Sequence, residues 1–133
     1  MRPTKAKITK GLNVGDIIDV VDNSGVKKGK ILTVKGYRGV KKRLTKGGIG
    51  DMIILVVKAG KPDQLKQKMP AVIIRQKKSY RRANGLRVKF ESNAAVMLKN
   101  EEGEPKGTMI KGPVAKEAIL RWPMLGKIAK MVV

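Results

Sequence analysis

The sequence predicts an all-β protein, a small closed barrel that carries a projecting β-ribbon and is followed by two short helices. Three observations favour this class. Short β-branched and aliphatic runs recur between turn signals, no repeat or low-complexity linker divides the 133 residues, and only the tail has helical character. Because this length is that of one domain, we expect a single domain over 1–133, with the barrel over about 12–111 and the helices over about 113–131.

The first strands are predicted from apolar runs that end in turn residues. The run VGDIIDVVD (14–22) ends in the turn cluster DNSG, and KGKILTVKG (28–36) follows it. The run GDMIILVVKAG (50–60) is apolar on both faces, which is typical of a buried strand. Between the second and third runs lies YRGVKKRLTKGGI (37–49), a connection with five cations and no acid.

A hairpin is predicted where cations are densest. Asn84-Gly85 is a strong hairpin signal, because both residue types tolerate the positive φ of a type I′ turn. With that turn, Arg82 would lie opposite Arg87, and two facing arginines repel each other. Such a ribbon is better suited to a place beside a polyanion. Edge strands also carry Lys to discourage aggregation, and the hairpin alone does not decide between the two interpretations.

The strand before this hairpin loses its apolar face halfway along. In VIIRQKK (72–78), Ile73 shares a face with Arg75 and Lys77, whereas in LRVKF (86–90) three apolar residues alternate with two cations. We therefore expect the first half of the strand to lie on the barrel and the second half to project as a cationic arm. A flexible surface loop that becomes ordered on binding a polyanion is the alternative.

The C-terminal third combines a predicted hairpin with a helical tail. The strings NAAVMLKN and GTMIKG predict a last hairpin around residues 102–107. Gly112 and Pro113 suit the N-cap and first position of a helix over GPVAKEAILR. Pro123 suits the start of a second short helix over PMLGKIAKMVV. Trp122 is expected in the core, with a contact to another protein as the alternative.

The charge indicates an anionic partner. The chain has 31 Lys and Arg against 10 Asp and Glu, a net charge of +21. This excess is larger than solubility requires and destabilises the compact state by self-repulsion, so RNA or DNA is the expected partner. One Trp, two Tyr and one Phe cannot supply a long stacking surface for single strands. Structured RNA bound through phosphates, sugars and shape is therefore favoured.

Several kinds of site are excluded by composition and spacing. The absence of Cys and His removes disulfides, thiolate or imidazole metal sites, and nucleophiles that depend on Cys or His. The string GVKKGK lacks the spacing and hydroxyl residue of a phosphate-binding loop. The three acids of residues 101–104 suit a solvated turn better than a cation site. We expect no catalytic residue, metal or cofactor, and the longest apolar run, 52–57, is far too short to span a membrane.

Two basic clusters are the candidate RNA-binding site. We name residues 35–46 the basic loop and residues 75–89 the basic arm. Each phosphate that they neutralise would release counterions, so affinity should fall steeply with salt. The ring of Tyr80 is the one expected to meet a base or sugar, with packing in the core as the alternative. The candidates are Lys35, Arg38, Lys41, Lys42, Arg43 and Lys46 in the basic loop, and Arg75, Lys77, Lys78, Tyr80, Arg81, Arg82, Arg87 and Lys89 in the basic arm.

The string AVIIRQKKSYRRANGLRVKFESNAAVM (71–97) resembles the signature of the universal large-subunit ribosomal protein family numbered fourteen. The strings DNSG, VKAGKP, GEPKGT and GPVAKE are also similar to that family. The strings RQKKSYRR and RWP resemble its archaeal and eukaryotic branch, with archaeal favoured. The positions that match the signature are Ala71, Val72 to Ile74, Asn84-Gly85, Phe90, Asn93 and Val96.

The resemblance implies a five-stranded barrel in a structural, non-enzymatic constituent of the large subunit of the cytoplasmic ribosome. It implies binding to large-subunit rRNA and a contribution to an intersubunit bridge with small-subunit rRNA. The implied neighbours are the third universal large-subunit protein, a small zinc-containing large-subunit protein and an anti-association factor. Trp122 and Met124 are the expected protein contacts. The alternatives are a free single-strand-binding protein or chaperone and, less favoured, a nuclease, for which the chain lacks His and a clear carboxylate pair.

Overall fold

A closed five-stranded β-barrel forms the centre of the protein, as expected. The computed structural model describes residues 7–133. The barrel strands follow the order β2-β3-β5-β6-β9, and the parallel pairing of β2 with β9 closes it. In chain order the strands are β1 (Leu12–Asn13), β2 (Ile17–Val20), β3 (Val26–Val34), β4 (Lys46–Gly47), β5 (Met52–Gly60), β6 (Lys68–Arg75), β7 (Tyr80–Arg81), β8 (Arg87–Val88), β9 (Ala94–Met97), β10 (Ile110–Val114) and β11 (Ala129–Val132).

The core lies inside the barrel and beneath the C-terminal segments. Strand β3 has one face toward the interior and the other toward solvent, and register shifts interrupt the alternation of buried and exposed residues along it. Strand β9 is buried at all four positions, because it is covered on both faces. These contacts make the barrel a well-packed support for the loops that leave it.

The basic loop and the basic arm leave the barrel at the same end. The basic loop follows β3, whose last residue Val34 pairs with Ile53 of the neighbouring strand β5. The arm follows β6, where Val72 pairs with Met52 at the start of the same β5. Because β5 lies between β3 and β6, the register brings the two cationic segments to one end of the molecule.

The ribbon is present, but its predicted turn and register are wrong. Only Gly85 of the Asn84-Gly85 pair has a positive φ, at 88°, so the turn is not type I′. Arg82 N–H donates to the Leu86 carbonyl at 2.7 Å, and Gly85 N–H donates to the Arg82 carbonyl at 2.9 Å. This is a three-residue hairpin in which a turn is followed by a left-handed glycine.

The longer turn shifts the pairing by one residue. Arg81, not Arg82, lies opposite Arg87, and Tyr80 lies opposite Val88. Since neighbouring residues of a strand point to opposite faces, this shift turns Tyr80 and Arg82 toward the protein. The two arginines that face and repel each other are therefore Arg81 and Arg87, not Arg82 and Arg87 as predicted.

The C-terminal segment differs from the prediction in its boundaries. Residues 110–114, where a helix was expected to start, form β10, and helix α1 spans Lys116–Arg121. The second predicted helix is a 3-10 helix over Pro123–Lys127. Strand β11 then pairs with β10 in parallel, and this long-range pairing overrides the Gly-Pro start signal. Among residues 7–133, no helix is long and apolar enough to cross a membrane.

The hairpin predicted around residues 102–107 forms only at its turn, where Lys99 N–H donates to the Glu104 carbonyl at 2.8 Å and Lys106 N–H donates to the Met97 carbonyl at 3.0 Å. Strands β9 and β10 belong to different sheets. An isolated bridge joins Leu98 to Pro105, and another joins Asp22 to Ile110. The buried Asp22 carboxylate accepts hydrogen bonds from the Met97 and Ser24 N–H groups at 2.9 and 3.2 Å, so it fixes the DNSG turn against β9.

Candidate nucleic-acid interface

All six candidate cations of the basic loop are exposed. Within the loop, the Tyr37 hydroxyl donates to the Leu44 carbonyl at 3.2 Å, and Arg43 N–H donates to the Val40 carbonyl at 3.0 Å. Lys35 forms a 2.7 Å ion pair with Glu101. These bonds shape the loop without covering its charges.

The base of the basic loop is anchored by Asp51, a buried carboxylate. Gly48 N–H donates to Asp51 Oδ2 at 2.8 Å, and Arg121 Nη1 donates to Oδ1 at 2.8 Å. Lys10 also pairs with this carboxylate. Through these charge-assisted hydrogen bonds, Asp51 joins the N-terminal segment, the loop base and α1.

Five cations of the basic arm are exposed and available to a ligand, namely Lys77, Lys78, Arg81, Arg87 and Lys89. The arm is joined to the N-terminal segment and the loop base by Gln76, which sequence reasoning missed and whose Oε1 accepts from the Ile49 N–H at 3.3 Å. The Gln76 side chain is fully buried. Its Nε2 donates to the carbonyls of Thr9 and Lys78 at 2.8 and 3.0 Å.

Tyr80 is not a candidate RNA contact in this structure, which corrects the sequence prediction. Its ring is completely buried, and its hydroxyl donates to Glu117 Oε2 at 2.8 Å. Burial, and secondarily the hydrogen bond to Glu117, raises the pKa of Tyr80 to about 12. The ring belongs to the core, which was the alternative interpretation, so no aromatic side chain of the arm is presented to a base.

Arg82 also turns inward. Its Nε donates to Glu117 Oε1 at 2.7 Å, and the side chain is only 20% exposed. Burial opposes its charge, but the hydrogen bonds to Glu117 and Tyr80 prevail and raise the pKa of Arg82. Sequence reasoning missed Glu117, because its partners Tyr80 and Arg82 lie 37 and 35 residues away in the sequence.

Arg75 supports the arm from within. Its Nε donates to Ser92 Oγ at 3.0 Å, and its Nη1 donates to the Pro113 and Lys111 carbonyls at 3.0 and 3.2 Å. Desolvation lowers the pKa of Arg75, and the nearby Asp19 carboxylate partly offsets this effect. Because three of its five N–H donors bond within the protein, two of them to β10 carbonyls, Arg75 ties β6 to β10 and does not count among the exposed candidates.

Of the two predicted protein contacts, only Met124 is accessible. Trp122 is 3% exposed, and its indole N–H donates to the Gly50 carbonyl at 2.7 Å. Met124 is 41% exposed. Trp122 is therefore a core residue that fixes the start of β5, as the sequence predicted, and its alternative role as a protein contact is wrong.

Eleven of the fourteen candidates thus remain on the surface, and they are mostly uncompensated. Within residues 7–133, Lys35 is the one member of these eleven that forms an ion pair. Ten exposed cations without carboxylate partners create a strong positive potential at this end of the barrel. Such a surface attracts a polyanion and releases its counterions.

The raised pKa of Tyr80 predicts a pH effect on stability. Tyr80 ionises at about 12 in the fold, against a usual value of 10.0. Its contribution to stability is therefore complete below about pH 10 and is lost as the pH rises toward 12. In Tyr80→Phe, we expect the free energy of unfolding to be about 1 kcal/mol lower near neutral pH, with a shallower fall above pH 10. Urea denaturation across this range measures both, and equal alkaline slopes would contradict the assignment.

Substitutions at the neighbouring residues Arg81 and Arg82 are expected to have different effects, the first on RNA binding and the second on stability. Arg81→Ala should reduce the slope of log affinity against log salt by about 0.7–0.9, the value of one phosphate contact, and leave stability unchanged. Arg82→Ala should leave the slope nearly unchanged but lower the free energy of unfolding by about 2–3 kcal/mol, because Glu117 stays buried without its cation. Filter-binding titrations and urea denaturation measure the two quantities. A larger slope change from Arg82 than from Arg81 would refute the assignment.

Taken together, a closed barrel with two exposed cationic segments at one end defines a nucleic-acid-binding β-barrel protein. Residues 11–133 match the family model for ribosomal protein L14p/L23e, and the chain belongs to this family.

Two curated relatives match over almost their full length. The large ribosomal subunit protein uL14 of Nanoarchaeum equitans is 51% identical over 133 residues, which is 100% of both chains. The protein of the same name from Methanococcus maripaludis is 48% identical over 132 residues, which is 99% of both chains. Both relatives are archaeal, which agrees with the branch that RQKKSYRR and RWP predict, and the family resemblance drawn from the sequence is confirmed.

Proposed function

We propose that this protein is a structural, non-catalytic constituent of the large ribosomal subunit in the cytoplasmic ribosome and acts as a single domain that binds large-subunit rRNA. The observation that carries the proposal is the group of ten exposed cations without carboxylate partners on one end of the barrel. Membership of a ribosomal protein family supports the identity of the RNA.

The proposed mechanism is multivalent neutralisation from a rigid support. The basic loop and the basic arm are both anchored to α1, through Arg121 to Asp51 and through Glu117 to Arg82. A ligand that engages both segments therefore pays little conformational entropy to order them. Phosphate between Arg81 and Arg87, which face each other in the ribbon, would turn their repulsion into attraction.

The non-catalytic role is supported by how the buried carboxylates are used. Asp22, Asp51 and Glu117 are the buried acids among the described residues. Each accepts hydrogen bonds from backbone N–H groups or from cations of the fold. A general base needs a carboxylate within reach of a substrate proton, and these three serve structural bonds.

We further propose contacts with other components of the ribosome. Small-subunit rRNA at an intersubunit bridge, the third universal large-subunit protein, a small zinc-containing large-subunit protein and an anti-association factor are the candidates that the family suggests. Exposed Leu120 and Met124, 58% and 41% accessible, lie on the C-terminal helical segments and suit a protein contact. They replace Trp122 in this role.

Sedimentation with ribosomal subunits tests the proposed function. The labelled protein should co-sediment with large subunits at low salt and dissociate at high salt. It should also prefer one folded large-subunit rRNA fragment over unstructured oligonucleotides of equal length. Comparable affinity for the unstructured strands would favour a free single-strand-binding protein, and failure to bind the subunit at any salt would exclude the proposal.

A further inference from the structure

A second cationic surface lies at the opposite end of the barrel from the basic loop. It consists of exposed lysines at the start of β3 and around the turn that joins β5 to β6. We name this surface the lysine pole. Its members are Lys27, Lys30, Lys58, Lys61, Lys66 and Lys68.

Strand lengths separate the lysine pole from the first interface. Strand β3 runs nine residues from Val26 to the start of the basic loop, and β6 runs eight residues from Lys68 to Arg75. At about 3.3 Å per residue, each strand spans about 23–26 Å. Lys30 lies at the middle of β3, about 17 Å along the chain from Lys35. These distances are about two to three Debye lengths at physiological salt, so the two surfaces interact only weakly.

The pole is almost free of compensating charge. Asp63 is the single acid of segment 58–68, and none of the six lysines forms an ion pair in the part of the chain that the structure describes. Lysines on an exposed strand edge discourage aggregation, but a closed barrel has no such edge to protect. The concentration of charge therefore needs another explanation.

The register arranges these lysines in a row. Lys30 pairs with Val56, and Val56 pairs with Lys68, so the two lysines flank Val56 on the outer face. At about 4.8 Å per strand, their Cα atoms are about 10 Å apart. An open groove of about 480 Å³ is lined by Lys27, Lys61 and Lys111, and also by Asp22, whose buried carboxylate is bonded to the Met97 and Ser24 N–H groups. A row and a groove of ammonium groups suit a line of phosphates.

The turn that carries the pole is rigid. Gly60 has a φ of 151°, and a Cβ there would lie 2.6 Å from the Gly25 carbonyl oxygen. Lys61 N–H donates to that carbonyl at 3.0 Å, and Lys66 N–H donates to the Val57 carbonyl at 3.0 Å. Because the backbone is fixed, the lysines present their charge without a large cost of ordering.

The two ends also differ in the kind of cation. The described arginines all lie in or beside the basic loop, the basic arm and α1, and the lysine pole has none. Arginine makes bidentate and stacked contacts, whereas lysine acts as a point charge with little geometric demand. The lysine pole is therefore suited to backbone phosphates alone, without reading bases.

We propose that the lysine pole is a second RNA-binding site, which takes the phosphate backbone of a duplex RNA segment other than the one held by the basic loop and basic arm. The protein then joins two RNA segments across its barrel. This inference rests on the proposed function and extends it, since rRNA binding at the first interface does not require it.

The number of RNA duplexes bound by the full chain tests the proposal. The probe is a duplex of about 16 base pairs, the length that a double-stranded RNA-binding domain spans, and sedimentation equilibrium gives the stoichiometry. A pole variant carries Lys27→Gln, Lys61→Gln and Lys68→Gln, and a matched control carries Lys116→Gln, Lys127→Gln and Lys130→Gln. Both lower the net charge from +21 to +18, a difference of three, and circular dichroism verifies that both fold.

We expect the unsubstituted protein and the control to bind two duplexes, and the pole variant to bind one with unchanged affinity. A loop variant with Arg38, Lys41, Lys42 and Arg43 replaced by Gln should retain the duplex at the pole. If the unsubstituted protein binds only one duplex, the proposal of a second RNA-binding site is refuted. That result is the one expected if the lysine pole is instead covered by an acidic protein. A pole variant that binds as many duplexes as the control would also overturn the second site, whereas no binding by the unsubstituted protein would refute the proposed function itself.

Discussion

Replacing Arg38, Lys41, Lys42 and Arg43 by Gln is expected to reduce the salt slope for large-subunit rRNA binding by about three. All four side chains are exposed and form no ion pair with the rest of residues 7–133, so each is free to neutralise a phosphate. At about 0.7–0.9 per contact, four lost contacts lower the slope by about 2.8–3.6. Filter binding at several salt concentrations gives the slope directly.

A matched control separates loss of contacts from loss of overall charge. Replacing Lys99, Lys116, Lys127 and Lys130 by Gln removes four charges as well and also lowers the net charge from +21 to +17. We expect this control to keep most of the slope, because its lysines lie outside the basic loop and the basic arm. Equal losses of salt slope in the two variants would mean that rRNA binding depends on net charge alone.

Trp122→Ala is expected to lower the free energy of unfolding by about 3–5 kcal/mol. The indole is buried, its N–H donates to the Gly50 carbonyl, and its ring lies against Gly103, where a Cβ would be 2.6 Å from Trp122 Cε3. Truncation therefore leaves a cavity and an unpaired carbonyl beside the start of β5.

Trp122→Phe serves as the partner variant for this prediction. It keeps much of the ring volume but removes the donor, so we expect a smaller loss of about 1–3 kcal/mol. Urea denaturation measures both losses. A Trp122→Ala variant as stable as the unsubstituted protein would contradict the assignment of Trp122 to the core.

The barrel could be predicted from the sequence, because its strands are strongly apolar and its turns carry their own signals. GDMIILVVKAG predicts a buried strand, and Met52–Gly60 forms a strand whose inner face is buried, although Ile54 and Val56 on its outer face are half-buried and Lys58 is exposed. The exposure of the basic loop was equally predictable, since no apolar residue pattern in 37–46 offers a face to bury. Local composition was sufficient for both.

The orientation of the arm could not be predicted, because it depends on distant partners. Asn-Gly fits a two-residue turn as well as a longer one with glycine alone at positive φ, and this choice decides whether Tyr80 and Arg82 point inward. Their partner Glu117 lies 37 and 35 residues away in the sequence. The predicted start of α1 was wrong for the same reason, since β10 occupies the predicted first turn and forms by pairing with the distant strand β11.

Lysine reactivity in the assembled large subunit tests the central claim most directly. Acetylation followed by mass spectrometry compares the free protein with the protein in the particle, residue by residue. We predict strong protection in the particle at the exposed lysines of the first interface that form no ion pair among residues 7–133, namely Lys41, Lys42, Lys46, Lys77, Lys78 and Lys89. Equal reactivity of these lysines in the free protein and in the particle would contradict binding of rRNA by the basic loop and the basic arm.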